Sequence, residues 1–114
     1  MTTQAEIEVE RSGGTVVARL SGEVDMANAA HVREQLLEAV PNDVIALVVD
    51  LAACRYLDSA AIEVLFDLSR RLQRRRQGLR LVVPETSPLG RVLALTDVNS
   101  VAPVHLTLDS ALAQ

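Results

Sequence analysis

The chain has 114 residues, a formal charge of −4, 49% apolar residues and one cysteine. That length suits one domain with its own core, and one cysteine rules out an internal disulfide. The negative charge opposes a nucleic-acid backbone partner, and Tyr56 and Phe66, the only aromatics, are too few for a base-stacking surface.

The elements follow in chain order. Residues 1–10 carry neither the basic nor the apolar part of a secretion leader. No apolar run approaches the roughly 20 residues of a membrane span, so a cytoplasmic protein without a membrane partner is expected. Ile7-Glu8-Val9-Glu10 alternates, Ser12-Gly13-Gly14 turns the chain, and Val16, Ala18 and Leu20 alternate with Val17 and Arg19. This predicts a hairpin whose strands each have a wet and a dry face. Ser21-Gly22-Glu23-Val24-Asp25 reads as a turn, with Asp25 or Asn28 capping a helix. That helix has the apolar stripe Ala29, Val32, Leu36, Ala39 and Val40, and Pro41-Asn42-Asp43 ends it.

Residues 44–49 are apolar without alternation, the pattern of a crossover strand covered on both faces, and the strand is read over 44–51. The turn at Asp58-Ser59 opens a second helix with Ile62, Leu65, Phe66, Ser69 and Leu72 on one face, broadened by Val64 and Leu68. Gly78 is read as its stop. Leu79-Arg80-Leu81-Val82-Val83 forms the next strand, ended by Pro84. Ser87-Pro88 reads as a cap with proline at the first helical position, followed by a short helix with Leu89, Val92 and Leu93 inward. Residues 101–106 form an edge strand, because Pro103 has no N–H for a central ladder, and Thr107 caps a last helix. The expected architecture is α/β: one domain over residues 1–114, with a mixed four- to five-stranded sheet and helices packed mainly on one face.

Catalytic templates are absent from this pattern. His31 and His105, the only histidines, fall on the solvent side of the first helix and in the edge strand. Neither lies beside a nucleophile, and no His, Cys and carboxylate cluster suggests a metal. No glycine-rich phosphate loop occurs; Gly13-Gly14 belongs to the hairpin. Cys54 reads as a small packed residue. Neither an enzyme nor a cofactor is therefore expected. Arg70, Arg71, Arg74, Arg75 and Arg76 cover the outer side of the second helix's last turns, where the helix dipole favours them. They suit either a solvated face or an acidic partner, and Asp67 pairs with Arg71 at i,i+4 spacing.

The informative spot is Asp58-Ser59. With Asp58 as cap, Ser59 takes the first helical position, where backbone N–H groups are unpaired and favour an anion. A plain helix start and a phosphate-accepting hydroxyl both fit.

In its order of elements the chain resembles the STAS domain, the fold of bacterial anti-sigma-factor antagonists. The resemblance spans the opening hairpin, Gly22-Glu23-Val24-Asp25, the first helix, the apolar strand, the Asp58-Ser59 turn and Val92-Leu93-Ala94-Leu95-Thr96. It implies that Ser59 is the phosphorylated serine and that Asp25 and Asp58 are acidic positions around the switch. The implied partner surface comprises Gly22, Glu23, Asp25, Met26, Asp58, Ser59, Ala60, Ala61 and Glu63. By the same resemblance, the unphosphorylated protein binds an anti-sigma factor and frees the sigma factor. That anti-sigma factor is a serine kinase using ATP, and a phosphatase resets the switch. The protein would be a monomer or weak dimer. The chain departs from the family after the serine. Ala60, Ala61, Ile62 and Glu63 stand where a small residue, glycine, an aliphatic residue and another small residue are usual, so Ala61 places a methyl where a partner backbone would approach. The alternatives are a STAS interaction subunit without phospho-control, in a signalling scaffold or on the ATPase of a lipid transporter, and a small-ligand sensor.

Overall fold

The computed structural model describes residues 4–113. Among them the order is β1 (Ala5–Ser12), β2 (Thr15–Val24), α1 (Ala29–Glu38), β3 (Ala46–Asp50), β4 (Cys54–Leu57), α2 (Ser59–Arg74), β5 (Gly78–Val82), α3 (Leu89–Ala94), a 3-10 turn (Val98–Ser100), β6 (Val104–His105) and α4 (Leu108–Leu112). The six strands form one mixed sheet in the order β1-β2-β3-β5-β6. The hairpin pair β1/β2 is antiparallel, whereas β3 pairs with β2, β5 with β3 and β6 with β5 in parallel. Parallel neighbours need crossovers, which α1, α2 and α3 supply. The sixth strand, β4, is an addition to the expected four or five. It lies parallel to the last residues of β2, beyond the point where β3 leaves off.

Two apolar layers cover the sheet. The larger joins Val16, Ala18, Leu20, Leu47, Val49 and Leu81 to α1, α2 and α3 through Val32, Leu36, Leu65, Leu68, Leu72, Leu89 and Leu93. The smaller lies on the other face, where Ala111, Leu108 and Leu112 of α4 cover Val17, Val48 and Val82. The helices are therefore mainly on one face, as expected. However, β2 is not wet on one side over its first half, because α4 seals Val17.

Several local readings change. Gly22-Glu23-Val24 is no turn: β2 runs on through it, with a register shift between Gly22 and Glu23 where it meets β4. Gly22 has φ +92°, and a Cβ there would run into the Gln4 carbonyl, so the position requires glycine. The strand expected over 44–51 is shorter at both ends, and Ile45 is 61% exposed. Val92 of α3 is also exposed, because that six-residue helix turns Leu89 and Leu93 inward. Ser87 Oγ accepts the Leu89 N–H at 3.1 Å, but the helix begins at Leu89, so Pro88 stands at its N-cap rather than at the first helical position; Thr107 accepts the Ser110 N–H at the start of α4 as expected. Neither Asp25 nor Asn28 caps the amides of the first turn of α1 through its side chain; both instead tie the preceding loop.

Helix α2 ends at Arg74 with Arg75 as its C-cap, and the left-handed residue that closes it off is Arg76, not Gly78. The Arg76 N–H donates to the Gln73 carbonyl and the Gln77 N–H to the Leu72 carbonyl, the paired bonds of a Schellman ending. Arg76 holds the left-handed position with φ 58°, where glycine is the usual residue. Gln77 follows, buried, and its Nε2 donates to the Pro41 and Val44 carbonyls at 2.8 and 2.9 Å. Arg76→Gly should raise stability by about 1 kcal/mol, relief of left-handed strain outweighing lost chain entropy. Urea denaturation should show a higher midpoint at an unchanged slope.

Candidate functional site

Two chain segments leave the sheet side by side because β4 is parallel to the end of β2. Val24 and Leu57 are register partners, so the residues after them, Asp25-Met26 and Asp58-Ser59, emerge together at one sheet end. The Asp58 N–H donates to the Val24 carbonyl at 3.2 Å and fixes this juxtaposition.

Asp58 is the N-cap of α2, in extended backbone conformation (φ −94°, ψ −174°). Its Oδ1 accepts the Ala61 N–H at 2.9 Å, and its Oδ2 accepts the Met26 N–H at 3.0 Å, from a residue 32 positions earlier. The loop opposite is also tied. Asp25 Oδ1 accepts the Ala27 N–H at 2.8 Å, Asn28 Oδ1 accepts the Asp25 N–H at 3.0 Å, and Asn28 Nδ2 donates to the Glu23 carbonyl at 3.0 Å. Ser59 is exposed at the first helical position. This exposed residue stands beside a held carboxylate, at the positive end of a 16-residue helix.

The predicted site residues divide by accessibility. Ser59 and Glu63 are exposed, Asp25, Asp58 and Ala60 are half-buried, and Met26 is 82% exposed. Gly22 and Glu23 lie at the end of β2, half-buried, and are used by backbone pairing: the Gly22 N–H donates to Ala53 and the Glu23 N–H to Gln4. Ala61 is corrected. It is only 2% exposed, part of the main core, and so takes no direct part in a contact surface. Its methyl is packed into the core beneath the helix start.

A groove of about 660 Å³ runs from this turn between α1 and α2, lined by Met26, Ala30, Arg33, Ala60, Glu63, Phe66, Asp67 and Arg70 among others. Asp67 gathers three arginines: Arg71 at 2.9 Å, Arg70 at 3.6 Å and Arg33 at 3.7 Å. The Arg71 pair follows from i,i+4 spacing, but Arg33 comes from the other helix and only tertiary packing brings it in. The arginine run therefore breaks up. Arg70 and Arg71 face Asp67, Arg76 takes the left-handed position beyond the C-cap, and Arg75 donates to the Val40 carbonyl at 2.7 Å, holding the loop after α1. A single acidic-partner surface made of all five is not what the fold presents.

No cluster of His, Cys, Asp and Glu among the described residues could hold a metal. His31 is exposed, and His105 lies in β6 with Nδ1 2.9 Å from Ser110 Oγ. His31 lines a shallow pocket with Gln4, Glu6 and Asn28, and His105 belongs to the strand at the far end of the sheet order. Cys54 is buried, and burial pushes its thiol pKa up. No described helix is long and apolar enough to cross a membrane.

The STAS domain sequence pattern matches residues 6–111. The chain is a STAS domain of the anti-sigma-factor antagonist family. The anti-sigma-F factor antagonist RsfB of Mycobacterium tuberculosis is 30% identical over 107 residues, 93% of this chain and 85% of that protein. The crystal structure of an anti-sigma factor antagonist from Mycobacterium paratuberculosis superposes with a TM-score of 0.80 at 30% identity, covering 96% of this STAS chain and 92% of that one. The fold also matches the phosphorylated form of the Bacillus cell fate determinant SpoIIAA, with a TM-score of 0.65 at 21% identity over 95% and 97% of the two chains.

Cys54 should resist alkylation in the folded STAS domain at neutral pH and react fully in denaturant, since a neutral buried thiol is a poor nucleophile. Intact mass after iodoacetamide treatment, with and without urea, checks this.

Proposed function

We propose that this STAS domain is an anti-sigma-factor antagonist whose unphosphorylated form binds an anti-sigma factor and so releases a sigma factor. Phosphorylation of Ser59 ends the contact. The carrying observation is the exposed residue Ser59 at the start of α2, next to Ala60 and the 82%-exposed Met26, which line the α1/α2 groove. The contact surface is formed by Met26, Ser59, Ala60 and Glu63, with Asp25, Asp58, Gly22 and Glu23 shaping it from behind. The cytoplasm, where such partners work, is the proposed location.

The anti-sigma factor acts as the kinase. Ser59 Oγ attacks the γ-phosphorus of ATP, the bond from that phosphorus to the bridging oxygen breaks with its electron pair and that oxygen leaving as ADP, and the hydroxyl proton passes to a base on the kinase. This chain supplies the acceptor oxygen and its presentation; a phosphatase hydrolyses the ester. The phosphate adds about −1.5 to −2 charges at one point. The helix dipole favours that charge by about 0.3–1 kcal/mol, and the adjacent Asp58 carboxylate opposes it. The fold is therefore little affected, whereas a docked surface that loses water around a new dianion loses several kcal/mol.

Incubation with candidate anti-sigma kinases and ATP should add the mass of one phosphate, located by fragmentation on Ser59 and absent from Ser59→Ala. Ser59→Asp should weaken partner binding by roughly tenfold or more, a change of about 1.4 kcal/mol, while both variants melt within about 2 °C of the native protein, as expected for an exposed position. Equal partner binding by the native chain and Ser59→Asp would leave the turn as a permanent interface without phospho-control.

A further inference from the structure

We propose that the Asp58 carboxylate is a latch that joins the entry turn of α1 to the start of α2, so that charge placed on Ser59 is transmitted to Met26. The two oxygens of one side chain serve two different segments: Oδ1 holds the Ala61 N–H inside α2, and Oδ2 holds the Met26 N–H across the cleft. Capping alone needs one oxygen. The second bond spans 32 residues and is charge-assisted. The sheet-side bonds, Asp58 N–H to the Val24 carbonyl and Asn28 Nδ2 to the Glu23 carbonyl, hold the bases of both segments. The latch thus sets where the tip of the turn, Met26, stands.

A dianion on Ser59 is one residue from this carboxylate. Two neighbouring anions repel, and they also compete for the N–H groups at the start of α2. Either effect draws the carboxylate from its shared position, and the longer, surface-spanning bond to Met26 is the one that can yield without unwinding the helix. In this way one modification alters two patches of the docking surface: Ser59 directly and Met26 through Asp58. The role of the latch in regulation rests on the phospho-switch reading; the latch itself does not.

Asp58→Asn separates the two bonds. Asparagine caps a helix as well as aspartate, but its NH₂ group cannot accept from the Met26 N–H. Amide exchange followed by ¹⁵N NMR on the whole chain, without any partner, should show Met26 exchanging roughly tenfold faster in Asp58→Asn, the loss of one bond to a charged group. Ala61 and the sheet amide of Val48 should keep their native rates. Asp58→Ala should release both Met26 and Ala61, and Ser59→Asp should accelerate Met26 alone. The latch is overturned if Met26 keeps its native rate in Asp58→Asn, or if Met26, Ala61 and Val48 accelerate together. Transmission is overturned if Ser59→Asp leaves Met26 unchanged while Asp58→Asn releases it. Because these readouts involve neither kinase nor anti-sigma factor, an absence of phosphorylation on Ser59 leaves them interpretable.

Discussion

The parallel pairing of β4 with the end of β2 is the constraint on which the site depends. β2 is long enough to carry β3 along its first half and β4 along its last residues on the same side, with β1 on the other. The Gly22 bulge accommodates the change of neighbour, since its positive φ and its closeness to Gln4 leave no room for a side chain. Once Val24 and Leu57 are partners, the turns after them must leave the sheet together. Two helix starts then stand side by side, and one carboxylate can reach both. This arrangement brings the Met26 N–H to 3.0 Å from Asp58 Oδ2.

Electrostatics at this place are finely divided. The start of α2 favours negative charge, and Asp58 already uses part of that preference. A phosphate arriving on Ser59 meets a helix end that welcomes it and a carboxylate that does not. Each is worth about a kcal/mol or less at an exposed position, too little to decide the stability of the domain, while desolvating the same charge beneath a partner costs more. On the proposed reading, the imbalance between solvent-facing and interface-facing cost would let the Ser59 hydroxyl act as a switch without unfolding its carrier. Further along the groove, Asp67 and its arginines form a charge network on the α2 side, giving the two ends of the cleft different character: carboxylates near Ser59, guanidinium groups away from it.

What was legible in the sequence was local. The start of α2 at Ser59, its cap at Asp58, the Asp67–Arg71 pair and the Thr107 cap all follow from neighbours within one helical turn, and all are found where expected. The architecture was legible because apolar runs and helical stripes alternate in crossover order. The misses are non-local. Cys54-Arg55-Tyr56-Leu57 has no strand periodicity and becomes β4 only because β2 offers an edge. Val17 reads as wet until α4, from the far end of the chain, covers it. Arg76 occupies a left-handed position that residue type disfavours, so Gly78 looked like the natural stop. Ala61 looked like a surface residue beside the serine because sequence adjacency does not reveal that the helix turns its third position into the core.

The burial of Ala61 also bears on how such a switch can diverge. The first turn of α2 has an inner side, Ala61 with Val64 and Leu65, that belongs to the main core, and an outer side, Ser59 and Glu63, that touches nothing the fold needs. Substitution on the inner side changes packing at a cost set by cavity or overfilling. On the outer side it changes only what a partner meets. Glu63 adds a negative charge one turn beyond Ser59 and lines the groove, so on the proposed reading a partner would meet a carboxylate there in place of an uncharged small residue. Specificity among related antagonists can thus be rewritten on one face of a single helical turn, with the Asp58 cap and the core beneath it left as they are.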